Sequence, residues 1–216
     1  MTSIFLAREF DLHVCAADLW VDPDDNWKRI REMDVADRVC PVRTEAHALP
    51  FAAGFFDAVA SVDAYQYFGT DDLYHHYFTR FVAPGGQLGV VVAGLTREFP
   101  QATVPEHLLA PQANGTAFWA DECLCFHTAA WRRDLWQRSG RVELERADVM
   151  PDGWRHWRDF ELALAASGKA RFPSVAEALE TDAGRYLGFV RLLARCRPAE
   201  GMNLYEPGLF TRLARG

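Results

Sequence analysis

Apolar residues along this chain fall into short runs, broken by polar, proline- and glycine-marked segments. The spacing inside each run assigns an element. In SIFLAREF (3–10), Ile4, Ala7 and Phe10 recur at helical spacing, and Phe5 and Leu6 widen that face. HVCAAD (13–18) is a short apolar run, suited to a strand buried on both faces. Asp22-Pro23-Asp24-Asp25 reads as a helix start: Asp22 can cap free N–H groups, Pro23 suits the first turn, and the acids suit the dipole. That helix runs on through NWKRIREMD. RVCPVRTEA (38–46) is the next strand, and FFDAVASVDAY (55–65) is a continuous apolar strand with polar residues at its end.

Thr70-Asp71-Asp72 opens a helix, DDLYHHYFTRFV, which Ala83-Pro84-Gly85-Gly86 closes. QLGVVVAGL (87–95) is the most apolar strand. Residues 96–125, with Pro100, Pro105 and Pro111, read as irregular. Thr128 caps a helix, AAWRRDLWQRSG, with Gly140 at its end. RVELERADVM (141–150) is a strand, 154–183 read as helices, and RYLGFVRLLARCRP (185–198) is a last strand. The alternation of strand and helix predicts an α/β chain: a Rossmann-like, doubly wound, mostly parallel sheet with helices on both faces and a small helical insertion near the C-terminus. The expected organisation is a single domain over 1–216, with 96–125 and 151–184 as variable lid or insertion segments. Ligands of such sheets bind at the carboxyl ends of the strands, which directs attention to Asp18, Glu45 and Asp63.

The chain has 216 residues, enough to bury roughly 70% of the surface its unfolded form exposes. Its formal charge is −7 and it has no long Lys/Arg run, so a phosphate track for nucleic acid is not expected. A small molecule fits better as the ligand. Cysteines at 15, 40, 123, 125 and 196 are odd in number and scattered, unlike a secreted disulfide framework. Arg8, Glu9, Asp11 and Asp18 interrupt any signal-like opening, and no run approaches the ~20 apolar residues that span a bilayer. The expected compartment is the cytoplasm, with no membrane partner and nothing that indicates a homo-oligomer.

Asp18 closes its strand, where a carboxylate can accept two ribose hydroxyls; the plainer reading is a cap or a solvated acid. Glu45, in RTEAHALPF, can accept from an adenine amino group, with the Ala46 N–H beside it; otherwise it is a loop acid. Asp63 is followed by Tyr65 and Tyr67 and is either a crevice acid or a loop acid above core tyrosines. Cys123, Cys125 and His127 alternate, so in an extended segment they would share a face. Paired Cys-x-x-Cys spacing is absent and no fourth ligand is evident, so no metal is expected. His75 and His76 read as surface or core-edge residues. Neither a Gly-x-Ser-x-Gly elbow nor a phosphate-binding Gly-x-x-x-x-Gly-Lys loop occurs.

An acid ending the second strand, then EAHALPF, then FFDAVASVDAYQYF, then a helix and APGGQLGVVVAG, form an ordered series. The series resembles the class I S-adenosylmethionine-dependent methyltransferases, in particular bacterial small-molecule enzymes, over residues 2–150 and the last strand. The resemblance implies S-adenosylmethionine as cofactor and a small-molecule methyl acceptor. It implies that Asp18 binds ribose hydroxyls, with Leu19 lining the adenine. Glu45 would take the adenine amino group, with Ala46 alongside, and Asp63 would sit near the methionine moiety. Tyr67, Trp119 and His127 would shape the acceptor pocket, with His127 and Tyr67 as candidate bases. The aromatic residues of 96–157 are either an apolar lid over the acceptor or the core of a helical cap.

The family begins with a strand and a Gly-rich loop, and here the first helix opens the sequence. The expectation is therefore an N-terminally truncated chain that lacks the first central strand and its loop. Two alternatives follow: a truncated or degenerate homologue that binds no cofactor, and a nicotinamide-dependent oxidoreductase. The Pro84-Gly85-Gly86 turn and the Glu45-Ala46-x-x-Leu49-Pro50-Phe51 pattern speak against the oxidoreductase.

Overall fold

The computed structural model describes residues 2–170 and 172–198, and the chain divides into two compact units, Met1–Ala52 and Ala53–Gly216. The first unit runs α1 (Thr2–Phe10), β1 (Val14–Asp18), α2 (Pro23–Glu32), β2 (Val39–Arg43). β1 and β2 pair in parallel, from Val14↔Val39 to Asp18↔Arg43, as a helical crossover requires. Ile4 and Ala7 of α1 and Ile30 of α2 pack with Ala16, Val35 and Val39. The start of α2 forms as its sequence dictates: Asp22 accepts the Asp24 N–H at 2.9 Å, and Pro23 occupies the first turn.

Two expectations are corrected in this unit. The buried stripe of α1 is Ile4 and Ala7; Phe5 and Phe10 are exposed, edge to face with each other. β1 is not buried on both faces. Val14 and Ala16 point into the core, while Ala17 on the other face is exposed.

The second unit holds β3 (Phe56–Val62), α3 (Asp72–Thr79), β4 (Val82–Leu95), α4 (Glu106–Leu109), α5 (Ala129–Arg138), β5 (Val142–Val149), α6 (Gly153–Ala166), α7 (Ala176–Asp182) and β6 (Leu187–Cys196). Its sheet has the order β3-β4-β6-β5. β3 is parallel to β4, and β6 is inserted antiparallel between β4 and β5. The β4/β6 pairing is long, from Gln87↔Arg195 to Leu95↔Leu187. Alternation places Leu88, Val90 and Val92 with Val190, Leu192 and Ala194 in the core. This layering of helices on parallel strand pairs is the expected Rossmann-like α/β arrangement.

Pro84-Gly85-Gly86 does not simply end a helix. α3 stops at Thr79, and β4 already pairs at Phe56↔Val82. The pairing then jumps to Ala58↔Gln87, so residues 83–86 bulge out of the strand. Gly85 takes φ +79°, and a Cβ on Gly86 would lie 2.6 Å from the Asp57 carbonyl oxygen, so both positions call for glycine. His75 also departs from its surface reading. It is fully buried and stacks on Trp136, with ring centroids 4.8 Å apart. α3 thus turns Tyr74, His75 and Phe78 inward, toward an aromatic core that includes Tyr65.

Candidate functional site

In the first unit, parallel pairing brings two acids to the C-terminal ends of adjacent strands. Asp18 is opposite Arg43 in register, and its carbonyl accepts the Thr44 N–H at 3.1 Å. Its Oδ1 accepts two backbone N–H groups, from Trp20 at 2.7 Å and Val21 at 2.8 Å, which closes a tight turn. One carboxylate oxygen therefore holds the loop, and Oδ2 lies outside these bonds. Leu19 and Trp20, at the tip of that turn, are exposed.

Glu45 follows β2 in a turn whose Ala48 N–H returns to the Glu45 carbonyl at 3.0 Å. Its Oε1 meets His47 Nδ1 at 2.6 Å, and this bond lowers the Glu45 pKa. Ala46 is half-buried within the same turn. The arrangement presents one anchored carboxylate and one turn carboxylate, each with a second oxygen able to accept from a hydroxyl or amino donor.

In the second unit, Asp63 directly follows β3; its N–H donates to the Val91 carbonyl at 2.8 Å and its φ is +51°. That left-handed conformation is uncommon for a residue with a side chain. Gln66 Nε2 donates to Asp63 Oδ1 at 2.9 Å. The side chain keeps solvent access, yet the atoms crowded around it raise the carboxyl pKa; the Gln66 bond opposes that rise and the Glu161 charge adds to it. Tyr67 is 66% exposed, but its hydroxyl pKa is also raised, by burial first and then by Asp63, Cys125 and Cys123, with a Gln66 hydrogen bond opposing. Asp63 and Tyr67 thus belong to one electrostatic group.

His127 and Trp119 lie in other surroundings. The His127 carbonyl accepts the Leu95 N–H at the end of β4, and its ring stacks on Trp131. Burial, with the Arg132 charge, pushes its pKa down to about 4, so it is a neutral imidazole at physiological pH. Trp119 packs against Phe99 and Phe126, beside buried Phe118 and Trp157. These aromatic residues form a core of their own. Cys123 and Cys125 do not share an extended face with His127, because Asp121–Cys125 winds into a 3-10 helix and Cys123 Sγ turns to the Phe118 carbonyl. Among the described residues no group of three His, Cys, Asp or Glu side chains is placed to hold a metal ion.

Several structural residues were not singled out by the sequence. Arg132, in the first turn of α5, is fully buried and donates to the carbonyls of Gly69 and Cys125. The Thr128 cap could have located it, because i to i+4 spacing puts Arg132 one turn above the cap. His107 Nε2 meets the buried Asp182 at 2.9 Å, and Asp182 Oδ2 accepts from Tyr186 and Leu187 N–H, tying α4 to the start of β6. Gln66 carried no signal beyond its place after Asp63.

The sequence matches no protein-family model and no curated protein. Solved structures do match. Phosphoethanolamine N-methyltransferase 2 of Haemonchus contortus, in complex with phosphomonomethylethanolamine and S-adenosylhomocysteine, superposes with a TM-score of 0.66 at 17% identity, over 90% of this chain and 46% of that one. Geranyl diphosphate C-methyltransferase of Streptomyces coelicolor A3(2), in complex with Mg2+, geranyl diphosphate and S-adenosyl-L-homocysteine, gives 0.61 at 16%, over 89% and 67%. The cyclase SpnF gives 0.63 at 18%, over 90% and 70%. At these identities the likeness establishes the fold: this chain has the α/β fold of these methyltransferases and of a cyclase.

Proposed function

We propose that the chain binds S-adenosylmethionine and transfers its methyl group to a small-molecule acceptor. A fold hosts many reactions, so the reading rests on the site rather than on the superposition alone. The observation that carries it is the pair Asp18 and Glu45 at neighbouring parallel strand ends. Asp18 Oδ2 suits the ribose hydroxyls and Glu45 the adenine amino group, with Leu19 and Ala46 bordering the ring. The donor set fits a nucleoside: both acids have an oxygen outside the bonds that hold their loops.

When bound, the sulfonium supplies an activated methyl whose leaving group needs no protonation. The residues of this chain then have to hold the acceptor close and aligned. Within the second unit, Asp63 and Tyr67 are the candidate residues for that task. Tyr67, a candidate base, has its hydroxyl pKa raised, so at neutral pH it is a protonated phenol that can orient the acceptor and not take its proton. His127, stacked on Trp131, is a weak base at a pKa of about 4. Trp119 borders the acceptor side through the aromatic cluster.

Thermal unfolding with a cofactor panel tests the reading. S-adenosylhomocysteine at ~100 times its Kd should stabilise the chain by about 2.7 kcal/mol. NAD and NADP should leave the transition unmoved. A shift with NAD and none with S-adenosylhomocysteine would replace methyl transfer with hydride transfer; no shift with either would leave an interaction protein without cofactor.

A further inference from the structure

We infer that Cys15 and Cys40 form a dithiol site that a peroxide oxidises to an intramolecular disulfide, which staples β1 to β2.

The parallel register sets Cys15 opposite Cys40. Partners in such a register project to one face of the sheet, and alternation along each strand fixes which face. Val14, Ala16 and Val39 pack in the core of this unit, so Cys15 and Cys40 project from the opposite face. Cys40 is exposed, Cys15 is half-buried, and both are free thiols. Neighbouring strands lie about 4.8 Å apart, inside the ~4.4–6.8 Å range of Cα separations that a disulfide spans. Burial, and then the charge of Cys40, raise the Cys15 pKa, so the two sulfurs act on each other. Cys123 and Cys196 are buried instead, with Sγ turned to the carbonyls of Phe118 and Thr79.

Cys40 is the sulfur of the pair that a dissolved peroxide reaches first. Its thiolate attacks one peroxide oxygen, the O–O bond breaks, and Cys40 becomes a sulfenic acid; the leaving hydroxide takes up the proton that Cys40 gave and departs as water. The Cys15 sulfur then attacks the Cys40 sulfur. The S–S bond forms, the S–O bond breaks, and a second water carries off the Cys15 proton. The thiols lose two electrons and two protons, and the peroxide gains both.

The staple lies three positions before Asp18 and five before Glu45. It draws the paired Cβ atoms to about 3.8 Å, closer than the strand spacing, and so displaces the strand ends. Where those ends hold a nucleoside, a consequence that rests on the methyl-transfer reading, oxidation loosens cofactor binding.

The full chain is treated with hydrogen peroxide, blocked with N-ethylmaleimide, digested without reductant and mapped by mass spectrometry. A peptide joining Cys15 to Cys40, absent after dithiothreitol, is expected. Cys15→Ser should leave Cys40 as a sulfenic acid that dimedone traps, and Cys40→Ser should leave Cys15 reduced. Thermal unfolding confirms that each variant is folded. Dimers linked through Cys40, or a Cys40 sulfinic acid beside a Cys15 that is still a thiol, overturn the proposal. S-adenosylhomocysteine should bind the oxidised wild type roughly fivefold or more weakly than the reduced, with recovery in dithiothreitol and no such change in peroxide-treated Cys15→Ser. Equal affinity in the two states overturns the loosening. Binding to neither state fails the methyl-transfer reading, and the peptide map still decides the disulfide.

Discussion

Gln66 Nε2 sits 2.9 Å from Asp63 Oδ1, so a fully buried amide steadies a carboxylate that its surroundings would rather see neutral. The folded pKa of Asp63 lies above its unfolded value. The folded state therefore holds this proton more tightly, and stability falls as pH rises from the ordinary carboxylate range through the folded pKa. Asp63→Asn keeps the Oδ1 acceptor and tolerates the left-handed φ. It should raise Tm at pH 7, with the gain shrinking toward pH 4. Thermal melts across pH check this. A loss of Tm at pH 7 would contradict it.

His75 gives the opposite sign of pH dependence. Burial, with His76 and Arg141, pushes its pKa down to about 3. The unfolded chain takes up this proton near pH 6.5 and the folded chain does not, so stability drops as pH falls from 6.5 toward 3. The cost across that window is on the order of 3–5 kcal/mol. His75→Phe retains a ring against Trp136 and should flatten the pH dependence of unfolding between pH 6.5 and 4. Urea unfolding at several pH values reads this directly.

Arg132 holds His127 neutral in addition to burial. Arg132→Met removes the charge and keeps much of the side-chain volume. The His127 pKa should then rise from about 4 toward its ordinary value, without reaching it, since burial is the larger cause. Histidine titration by NMR measures the change. An unchanged value would mean that burial acts alone.

Gly86→Ala tests the bulge at the start of β4. The added carbon would meet the backbone oxygens of Asp57 and Ala83 at 2.6 and 2.9 Å, and no side-chain rotation relieves that clash. The loss should be about 2 kcal/mol or more. Gly89→Ala, where the nearest atom is Leu193 Cδ1 at 3.9 Å, should cost less. Chemical denaturation of both variants gives the comparison.

What the sequence made legible was local. The caps Asp22, Asp71 and Thr128 each accept the N–H that their place before a helix demands. Asp18 and Asp63 stand at strand ends, because apolar runs with a terminal acid leave few other registers. What stayed hidden depended on partners distant in the chain. His75 looks like one of two surface histidines until Trp136, far along the chain, supplies the ring that buries it. Cys123 and Cys125 alternate in writing, yet the Phe118 carbonyl and a 3-10 turn set their directions. Gln66 is an ordinary polar residue until Asp63 and the core around Tyr65 fix its amide. The ligand roles of Asp18, Glu45 and Tyr67 remain for experiment, beginning with the acid at the end of β1.

Calorimetric titration of S-adenosylhomocysteine into the wild-type chain and into Asp18→Asn is that experiment. Asparagine keeps the Oδ1 acceptor that Trp20 and Val21 require, and replaces the second oxygen with a donor. Saturable one-to-one binding to the wild type, weakened at least tenfold in Asp18→Asn with Tm unchanged, is the expected result; the loss of a hydrogen bond to a charged group accounts for about 1.5–3 kcal/mol. No binding to the wild type, or equal affinity in both, would contradict the assignment of this strand end as a nucleoside site.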